Sequence, residues 1–219
     1  MARILVLGAH GRVALRAQRM LADAQHTVHG VVRNPAHADD VAETGAEPVV
    51  SDLETLEQAA VDQLLTGYDV VVWSAGAGGG SPERTRAVDH DAALRVLDAV
   101  TRSGARLVMI SYFGSRRDHG VAPDAPFFAY AEAKSLVDEA IRASGADWVI
   151  LAPSTLTDEE EGGIEIDEPA GSVASGSIPR ATVARLIAEV VAHPGVRGLT
   201  IRCNEGGTPV AEALARDRS

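Results

Sequence analysis

Apolar residues along the first 150 positions form short continuous runs and do not alternate with polar residues. Runs of this kind, rich in β-branched residues, occur at 3–8, 27–32, 47–50, 69–74, 106–111 and 147–152. Continuous apolar runs are typical of strands that are buried on both faces, as in a parallel sheet. The segments between them have helical periodicity and predict helices at 11–24, 35–44, 54–66, 82–103 and 127–144. This alternation predicts a doubly wound parallel α/β sheet, with another α/β arrangement as the alternative.

The pattern changes after residue 152. Residues 154–179 are rich in glycine, serine and acidic residues, which predicts a loop with a short ribbon. The following segments predict a helix at 179–193 with Pro179 near its start, a strand at 198–203 and a helix at 208–216. Since no linker or internal repeat interrupts the chain, we predict a single domain over residues 1–219. Within it, we expect 153–178 and 204–219 to form a small cap on the substrate side.

Composition and charge narrow the classes of partner. The 219 residues are 46% hydrophobic and carry a net charge of −11, which disfavours nucleic acid and anionic membranes as main partners. The single cysteine, Cys203, excludes an internal disulfide and a cysteine-rich metal site. No apolar run approaches the roughly 20 residues of a membrane helix, and no signal sequence is recognisable. We therefore expect a soluble cytoplasmic protein that acts on a small molecule.

No metal site is predicted, because the scattered histidines lack metal-ligand spacing. The acidic run 158–161 is interpreted as a solvated loop.

The first strand ends in a glycine loop, GAHGRVA, which leads directly into a helix. Gly8 permits a tight turn, Gly11 allows the backbone to approach a pyrophosphate, and Ala14 allows the helix to pack closely on the strand. The N-terminus of the helix offers unpaired N–H groups and the positive end of its dipole to phosphates. Glycines end many strands, so the motif alone is weak. Its strand–turn–helix context favours a dinucleotide over a plain turn.

The end of the second strand bears on the choice of cofactor. Arg33 stands where an NAD-selective site usually has an acidic residue for the ribose 2′-hydroxyl. A guanidinium suits a 2′-phosphate, and Arg12 in the glycine loop is a candidate second charge. The two arginines favour NADP, with NAD still possible. The alternative is that both are solvated surface groups.

Two further loops follow strand ends at the same predicted edge of the sheet. Asp52, after the third strand, is a candidate acceptor for an adenine amino group or an N-cap for a helix beginning near Glu54. Small residues at 74–80, after the fourth strand, leave room for a ribose and a nicotinamide, although a mobile glycine loop is the alternative. Open α/β folds bind ligands at this carboxyl edge.

The pentapeptide YAEAK, from Tyr130 to Lys134, contains the only lysine of the chain, the other nineteen basic residues being arginine. Four-residue spacing in a helix places both side chains on one face. An ammonium group near a phenol lowers the pKa of the tyrosine, so Tyr130 is a candidate proton donor to a carbonyl. Ser111 ends the fifth strand and is a candidate hydrogen-bond donor to the substrate oxygen. Chance co-occurrence of these residues is the alternative.

These motifs together resemble the short-chain dehydrogenase/reductase superfamily, and more narrowly its small atypical, single-domain NAD(P)H-binding or sugar epimerase-like group. The closing segments Ile178-Pro179-Arg180 and 204–214 are similar to those of the group. The resemblance implies a Rossmann fold, NADP or NAD as cofactor, and Ser111, Tyr130 and Lys134 as the catalytic set. It also implies a set of cofactor-binding residues: Gly8, His10, Gly11, Arg12, Val13, Arg33, Asp52, Leu53, Ser74, Ala75, Gly76, Lys134 and Pro153.

The predicted function is NADPH-dependent reduction of a small carbonyl or related acceptor, with Tyr130 as proton donor. Reduction of a flavin, quinone or biliverdin-type acceptor, in which Tyr130 matters less, and non-catalytic redox sensing are the alternatives. Epimerase chemistry is less expected, because the chain lacks a larger C-terminal substrate domain.

Arg116 and His119 are candidates for contact with an anionic substrate, with solvated loop residues as the commoner outcome. The long predicted helices at 82–103 and 127–144 are compatible with core packing in a monomer or with the interface of a homodimer.

Overall fold

A computed structural model describes residues 1–77 and 81–215. The chain folds as alternating strands and helices, as the hydrophobic pattern predicts. The strands are β1 (Arg3–Leu7), β2 (Thr27–Val32), β3 (Glu47–Val50), β4 (Val70–Trp73), β5 (Arg106–Ile110), β6 (Trp148–Pro153), β7 (Thr155–Thr157), β8 (Gly163–Ile166), β9 (Ser177–Pro179) and β10 (Leu199–Gly206).

Eight strands form one sheet in the order β3-β2-β1-β4-β5-β6-β10-β8. All neighbours in it are parallel except β8, which pairs antiparallel with β10. The chain builds outward from β1 to β3 and then returns to the other side of β1 with β4. The strand order therefore reverses beside β1, and open α/β sheets bind ligands at this point. The predicted single-domain, Rossmann-type fold is confirmed.

Helices cover both faces of the sheet. They are α1 (Arg12–Asp23), α2 (Ala38–Ala42, after a single 3-10 turn at Pro35–His37), α3 (Gln58–Leu64), α4 (Pro82–Thr85), α5 (Ala93–Ser103), α6 (Phe128–Ala143), α7 (Arg180–Ala192) and α8 (Val210–Ala215). A π-helical segment, Arg86–Ala92, joins α4 to α5.

The core divides into two layers because successive strand residues point to opposite faces. Ile4 and Val6 of β1 pack with α1 and α7 on one face. Leu5 and Leu7 pack with α3, α5 and α6 on the other face. Within residues 1–77 and 81–215, no helix combines the length and the apolar character needed to cross a bilayer.

Two predicted elements differ from the structure. The helix expected from residue 54 begins at Gln58, because Asp52 forms a turn in which its Oδ1 accepts the N–H of Glu54 at 3.1 Å. Residues 154–179 do contain a ribbon, formed by β7 and β9, but they also supply β8 to the edge of the main sheet. Part of the predicted cap therefore extends the sheet.

Candidate functional site

The loops after β1 and β4 approach each other at Gly8. This residue has a φ of +80°, and a Cβ placed on it would lie 2.5 Å from the Cα of Ala75. Only glycine adopts this backbone conformation without strain and leaves the two backbones in contact. The turn is closed by a hydrogen bond of 3.0 Å from the N–H of Gly11 to the carbonyl of Gly8.

Helix α1 starts immediately after this turn, with Gly11 as its N-cap residue. No side chain caps the helix, so its first N–H groups are available to an anion. Ala14 is fully buried, which fits its predicted role in close packing of the helix on the sheet.

A crevice of about 500 Å³ runs along the carboxyl ends of β1 to β4. It brings together most of the predicted cofactor-binding residues, namely Gly8, His10, Gly11, Arg33, Asp52, Leu53, Ser74, Ala75 and Gly76. The glycines 78–80 of the same predicted loop lie outside the described residues. His10 stands in the wall of the crevice, where its ring stacks on that of His37 at 3.6 Å and its Nε2 lies 2.8 Å from Asp40 Oδ2.

Four predicted residues do not line this crevice. Arg12 donates from Nη1 to Asp158 Oδ2 at 2.6 Å, on the side of the chain towards α7. Val13 is buried in the core beneath α1. Pro153 is buried at the end of β6, where its carbonyl accepts from Phe113. Lys134 is fully buried behind β5. Their contact with a cofactor stays a prediction.

The far end of the crevice carries a charge cluster that the sequence pattern did not indicate. Glu54 Oε1 accepts from Arg33 Nη1 at 2.8 Å and from Arg84 Nε at 2.9 Å. Arg84 also donates to the carbonyl of Ala77 at 2.8 Å. Two guanidinium groups thus share one carboxylate, and the Asp52 carboxylate lies in the same lining. Arg84 lies 30 residues from Glu54, and no local pattern links the two positions.

Helix α6 carries Tyr130, Lys134 and Asp138 at four-residue spacing, so the three side chains share one face. Lys134 Nζ donates to the carbonyl of Ile110 at 2.6 Å and approaches Met109 Sδ at 3.6 Å. Burial lowers the pKa of Lys134, while the carboxylates of Asp138 and Asp89 oppose this shift. The ammonium group therefore anchors α6 to the end of β5.

Asp138, buried on the same face, was not predicted. Its Oδ2 accepts hydrogen bonds of 2.5 Å from the hydroxyl groups of Ser111 and Ser115. Ser111 lies directly after β5, as predicted, but it directs its proton at Asp138. The predicted hydrogen bond from Ser111 to a substrate oxygen would therefore require rotation of the hydroxyl.

Tyr130 lies one helical turn from Lys134, towards the start of α6. Its ring packs against Phe127 and Tyr112, with centroids 5.2 and 5.7 Å away. Burial, reinforced by the negative charges of Asp89 and Asp138, raises the pKa of Tyr130 well above its usual range. The expectation that the ammonium group lowers this pKa is wrong for this structure, because the desolvation of the phenol dominates.

Asp89 joins this cluster to the crevice. It is buried in the π-helical segment, and its Oδ2 accepts the N–H of Ala77 at 3.0 Å. A Cβ on Gly76 would lie 3.2 Å from Asp89 Oδ1, so the carboxylate stands directly behind the crevice wall. Burial raises the pKa of Asp89, and the charges of Lys134 and Arg84 oppose the shift. The sequence contained no signal for this residue beyond its place in a predicted helix.

The loop between Ser111 and α6 holds the two candidates for substrate contact. Arg116 is exposed, as the commoner outcome predicted. His119 is not solvated, since its side chain is buried against Phe128 and its ring nitrogens engage Glu132 and the N–H of Val121. His119 is therefore a packing residue of this loop.

The fold and the glycine-lined crevice at its switch point define a dinucleotide-binding protein of the Rossmann class. The profile of the NAD(P)H-binding family matches residues 8–194, and the chain belongs to that family. This confirms the resemblance to a small single-domain NAD(P)H-binding group.

Similar proteins match almost the whole chain. The Schizosaccharomyces pombe UPF0659 protein C216.03 is 33% identical over 96% of this chain and 93% of its own. The Bacillus subtilis uncharacterized sugar epimerase YhfK is 26% identical over 98% of this chain and 99% of its own. A solved structure of a candidate NAD-dependent epimerase/dehydratase from Bacillus halodurans is 29% identical, with a TM-score of 0.89 over 99% of this chain and 100% of its own.

The residues of the crevice fit an NAD(P) cofactor. Gly8 and Gly11 leave bare backbone beside the uncapped start of α1, where a pyrophosphate is favoured. Ala75 and Gly76 leave similar room at the end of β4. The cofactor predicted from the sequence, NAD(P), is therefore confirmed at the level of the family. Within the described residues, no group of three potential metal ligands lies close enough to hold an ion.

Proposed function

We propose that the protein is an NADPH-dependent oxidoreductase that reduces a small carbonyl or related acceptor, with Tyr130 as the proton donor. When bound, NADPH supplies a hydride to such an acceptor. The observation that carries the proposal is the phenol of Tyr130 on the α6 face that holds Lys134 and Asp138, within electrostatic reach of Asp89 behind the crevice wall.

The position of Tyr130 supports its role as an acid. Lys134 contacts Ile110, the last residue of β5, and Tyr130 stands about 6 Å further along the helix axis, beyond the end of the strand. The carboxyl edge of the sheet, where substrates of such folds bind, lies on that side. A phenol of ordinary pKa is already protonated at neutral pH, and the raised pKa makes Tyr130 a weaker acid, so its position and not its acidity supports the role.

Arg33 supports NADPH over NADH. It lies in the crevice beyond β2 and, with Arg84, places two guanidinium groups at this end, a donor type that suits a 2′-phosphate. The pairing with Glu54 leaves part of each planar guanidinium fork free for a second acceptor.

One observation favours a second candidate function, the reduction of a flavin or quinone acceptor that does not need Tyr130 as its proton donor. Lys134 Nζ is buried and bound to the Ile110 carbonyl, so it does not assist the phenol through a direct hydrogen bond. An acceptor that takes its proton from solvent would not need such assistance.

Steady-state oxidation of NADPH over a panel of aldehydes, ketones, quinones and flavins tests the proposal. We expect turnover with at least one carbonyl compound. Turnover with quinones or flavins alone would favour the second candidate. Tight NADPH binding without turnover of any acceptor would contradict the enzyme assignment and support a redox sensor.

A further inference from the structure

A second cavity, of about 490 Å³, lies on the substrate side of the sheet. Its walls come from the loop after β5, the segment after β8, and β10. The apolar part of the lining includes Phe113, Ala170, Val173 and Ala174. A pocket with mostly apolar walls and a few polar groups is the usual form of a small-molecule site.

Arg202 of β10 faces this cavity. It alternates along the strand with Ile201 and Cys203, which are fully buried on the opposite face. Among the described residues, the guanidinium groups of Arg142, Arg197 and Arg202 make neither a hydrogen bond nor an ion pair, and of these three only Arg202 is half-buried. A half-buried guanidinium group that is not engaged by the protein keeps all its donors available to an anionic ligand.

Two other charged side chains, Asp167 and Arg116, share the lining with Arg202, and neither makes an ion pair with it. Asp167 also lines the cavity, but its carboxylate accepts from the N–H groups of Gly171 and Val173 and from Ser172 Oγ. Its oxygens therefore hold their own loop together. Arg116, the second cation of the lining, donates only to the backbone carbonyl of Asp118. The lining thus holds two guanidinium groups and one carboxylate, an excess of positive charge in a chain with a net charge of −11.

The cavity is one aromatic ring away from the proposed proton donor. Gly114 is part of its lining, and a Cβ on Gly114 would lie 2.8 Å from Cε2 of Tyr112. The other contacts of the Tyr112 ring include Tyr130, at 5.7 Å between centroids. The buried hydroxyl of Tyr112 has no hydrogen-bond partner among the described residues. The Tyr112 ring therefore separates this cavity from Tyr130, and movement of that one side chain would connect the two.

We propose that this cavity binds the carboxylate group of the acceptor through Arg202, with Arg116 as a supporting cation. The substrate class is then an apolar carbonyl compound that carries a carboxylate. The guanidinium fork binds a carboxylate with two parallel hydrogen bonds, and the apolar walls favour an organic anion over inorganic phosphate. The carboxylate site does not depend on the proposed function, but its assignment to a carbonyl substrate does.

Calorimetric titration with benzoate tests the site without any turnover. We expect benzoate to bind at millimolar concentrations and benzamide, its neutral counterpart, to bind more weakly. Arg202→Gln should weaken benzoate binding about 10- to 100-fold. Arg116→Gln, at an exposed position, should weaken it less, whereas Arg142→Gln, at an exposed and unpartnered arginine outside the cavity, should leave it unchanged.

Several results would overturn the proposal: no benzoate binding by the wild-type protein, equal binding of benzamide, or equal binding of benzoate by Arg202→Gln. Arg202→Lys keeps the charge without the fork and should retain intermediate affinity, which also separates loss of the site from loss of folding. Inorganic phosphate that competes fully with benzoate at equal concentration would contradict the preference for an organic anion.

Turnover gives a second readout. The wild-type protein should reduce 4-carboxybenzaldehyde with a higher kcat/KM than its methyl ester, and Arg202→Gln should bring the ratio close to one. If neither compound is reduced but benzoate binding depends on Arg202, the proposed reaction fails and the anion site stands. If both are reduced equally well by the wild-type protein, the reaction stands and the anion site fails as a substrate site.

Discussion

Burial of charged side chains at the junction of β5, α6 and the π-helical segment is the main feature at the scale of single residues. Lys134, Asp89 and Asp138 are all buried, and the one ammonium group interacts electrostatically with both carboxylates. Removal of charged groups from water is costly unless they are paired and hydrogen-bonded. Such clusters occur often at functional sites, in agreement with the proposed role of this face of α6.

The Asp89 carboxyl group should make the free energy of unfolding depend on pH. Its folded-state pKa is raised above 3.8, so the folded protein binds more protons than the unfolded chain between 3.8 and the raised value. Stability from this group is present below 3.8 and is lost as the pH rises through the raised pKa. Asp89→Asn, which still accepts from Ala77, should therefore gain stability relative to the wild-type protein as the pH rises from 4 to 7.

Urea unfolding of both proteins across this pH range measures the difference. A difference in the free energy of unfolding that stays constant, or that changes with the opposite sign, would show that the carboxyl group is not desolvated as the structure indicates.

The Arg33 guanidinium group should determine the preference for NADPH. Arg33→Ala is expected to weaken NADPH binding about 10- to 100-fold, the usual effect of a lost charge-assisted hydrogen bond, with little change for NADH. Dissociation constants from nucleotide fluorescence measure both effects, and Arg142→Ala serves as an exposed-arginine control. Equal losses for the two nucleotides would refute the 2′-phosphate assignment.

At the scale of elements, the hydrophobic pattern predicted the parallel strands and most helices, because continuous apolar runs and helical periodicity reflect burial directly. It did not predict the entry of 163–166 into the sheet. Only Ile164 of this short segment is buried, and its pairing with β10 depends on residues about 40 positions away. The late start of α3 has a local cause, since Asp52 stabilises a turn in place of the first helical turn.

The contact between the β1 and β4 loops is the element-level feature on which the crevice depends. Gly8→Ala should destabilise the fold, because the new methyl group would meet the Ala75 backbone at 2.5 Å in addition to the strain of a φ of +80°. Gly104→Ala is the matched control, with a φ of +76° and no heavy atom within 4 Å.

We expect Gly104→Ala to cost about 1–2 kcal/mol from backbone strain alone. Gly8→Ala should cost about 1–3 kcal/mol more, from overpacking, and should also lose nucleotide binding. Urea unfolding measures the first effect and NADPH titration the second. Equal stability of the two variants would mean that the two loops are not in close contact.

At the scale of the whole molecule, the parts of the site that lie directly after strands were predictable. The carboxyl ends of parallel strands meet at one edge, so Gly8, Arg33, Asp52 and Ala75 could be placed together from the sequence. The long-range partners could not. Glu54 joins Arg33 to Arg84, and Asp138 joins Ser111 to Ser115, through contacts that no local spacing encodes.

The direction of the pKa shift of Tyr130 also could not be predicted from the sequence. The four-residue spacing to Lys134 was right, but the effect of the ammonium group depends on where Nζ points. In the fold it points to the carbonyl of Ile110, and desolvation of the phenol by the packed chain decides the direction of the pKa shift.

The central claim, that Tyr130 delivers the proton in an NADPH-dependent reduction, is tested most directly by kcat/KM of Tyr130→Phe with the best carbonyl acceptor of the panel. Tyr68→Phe, a tyrosine packed against Arg3 and His29 outside the crevice, is the matched control. We predict a loss of about 10²-fold or more for Tyr130→Phe and none for Tyr68→Phe. Unchanged turnover in Tyr130→Phe would contradict the account.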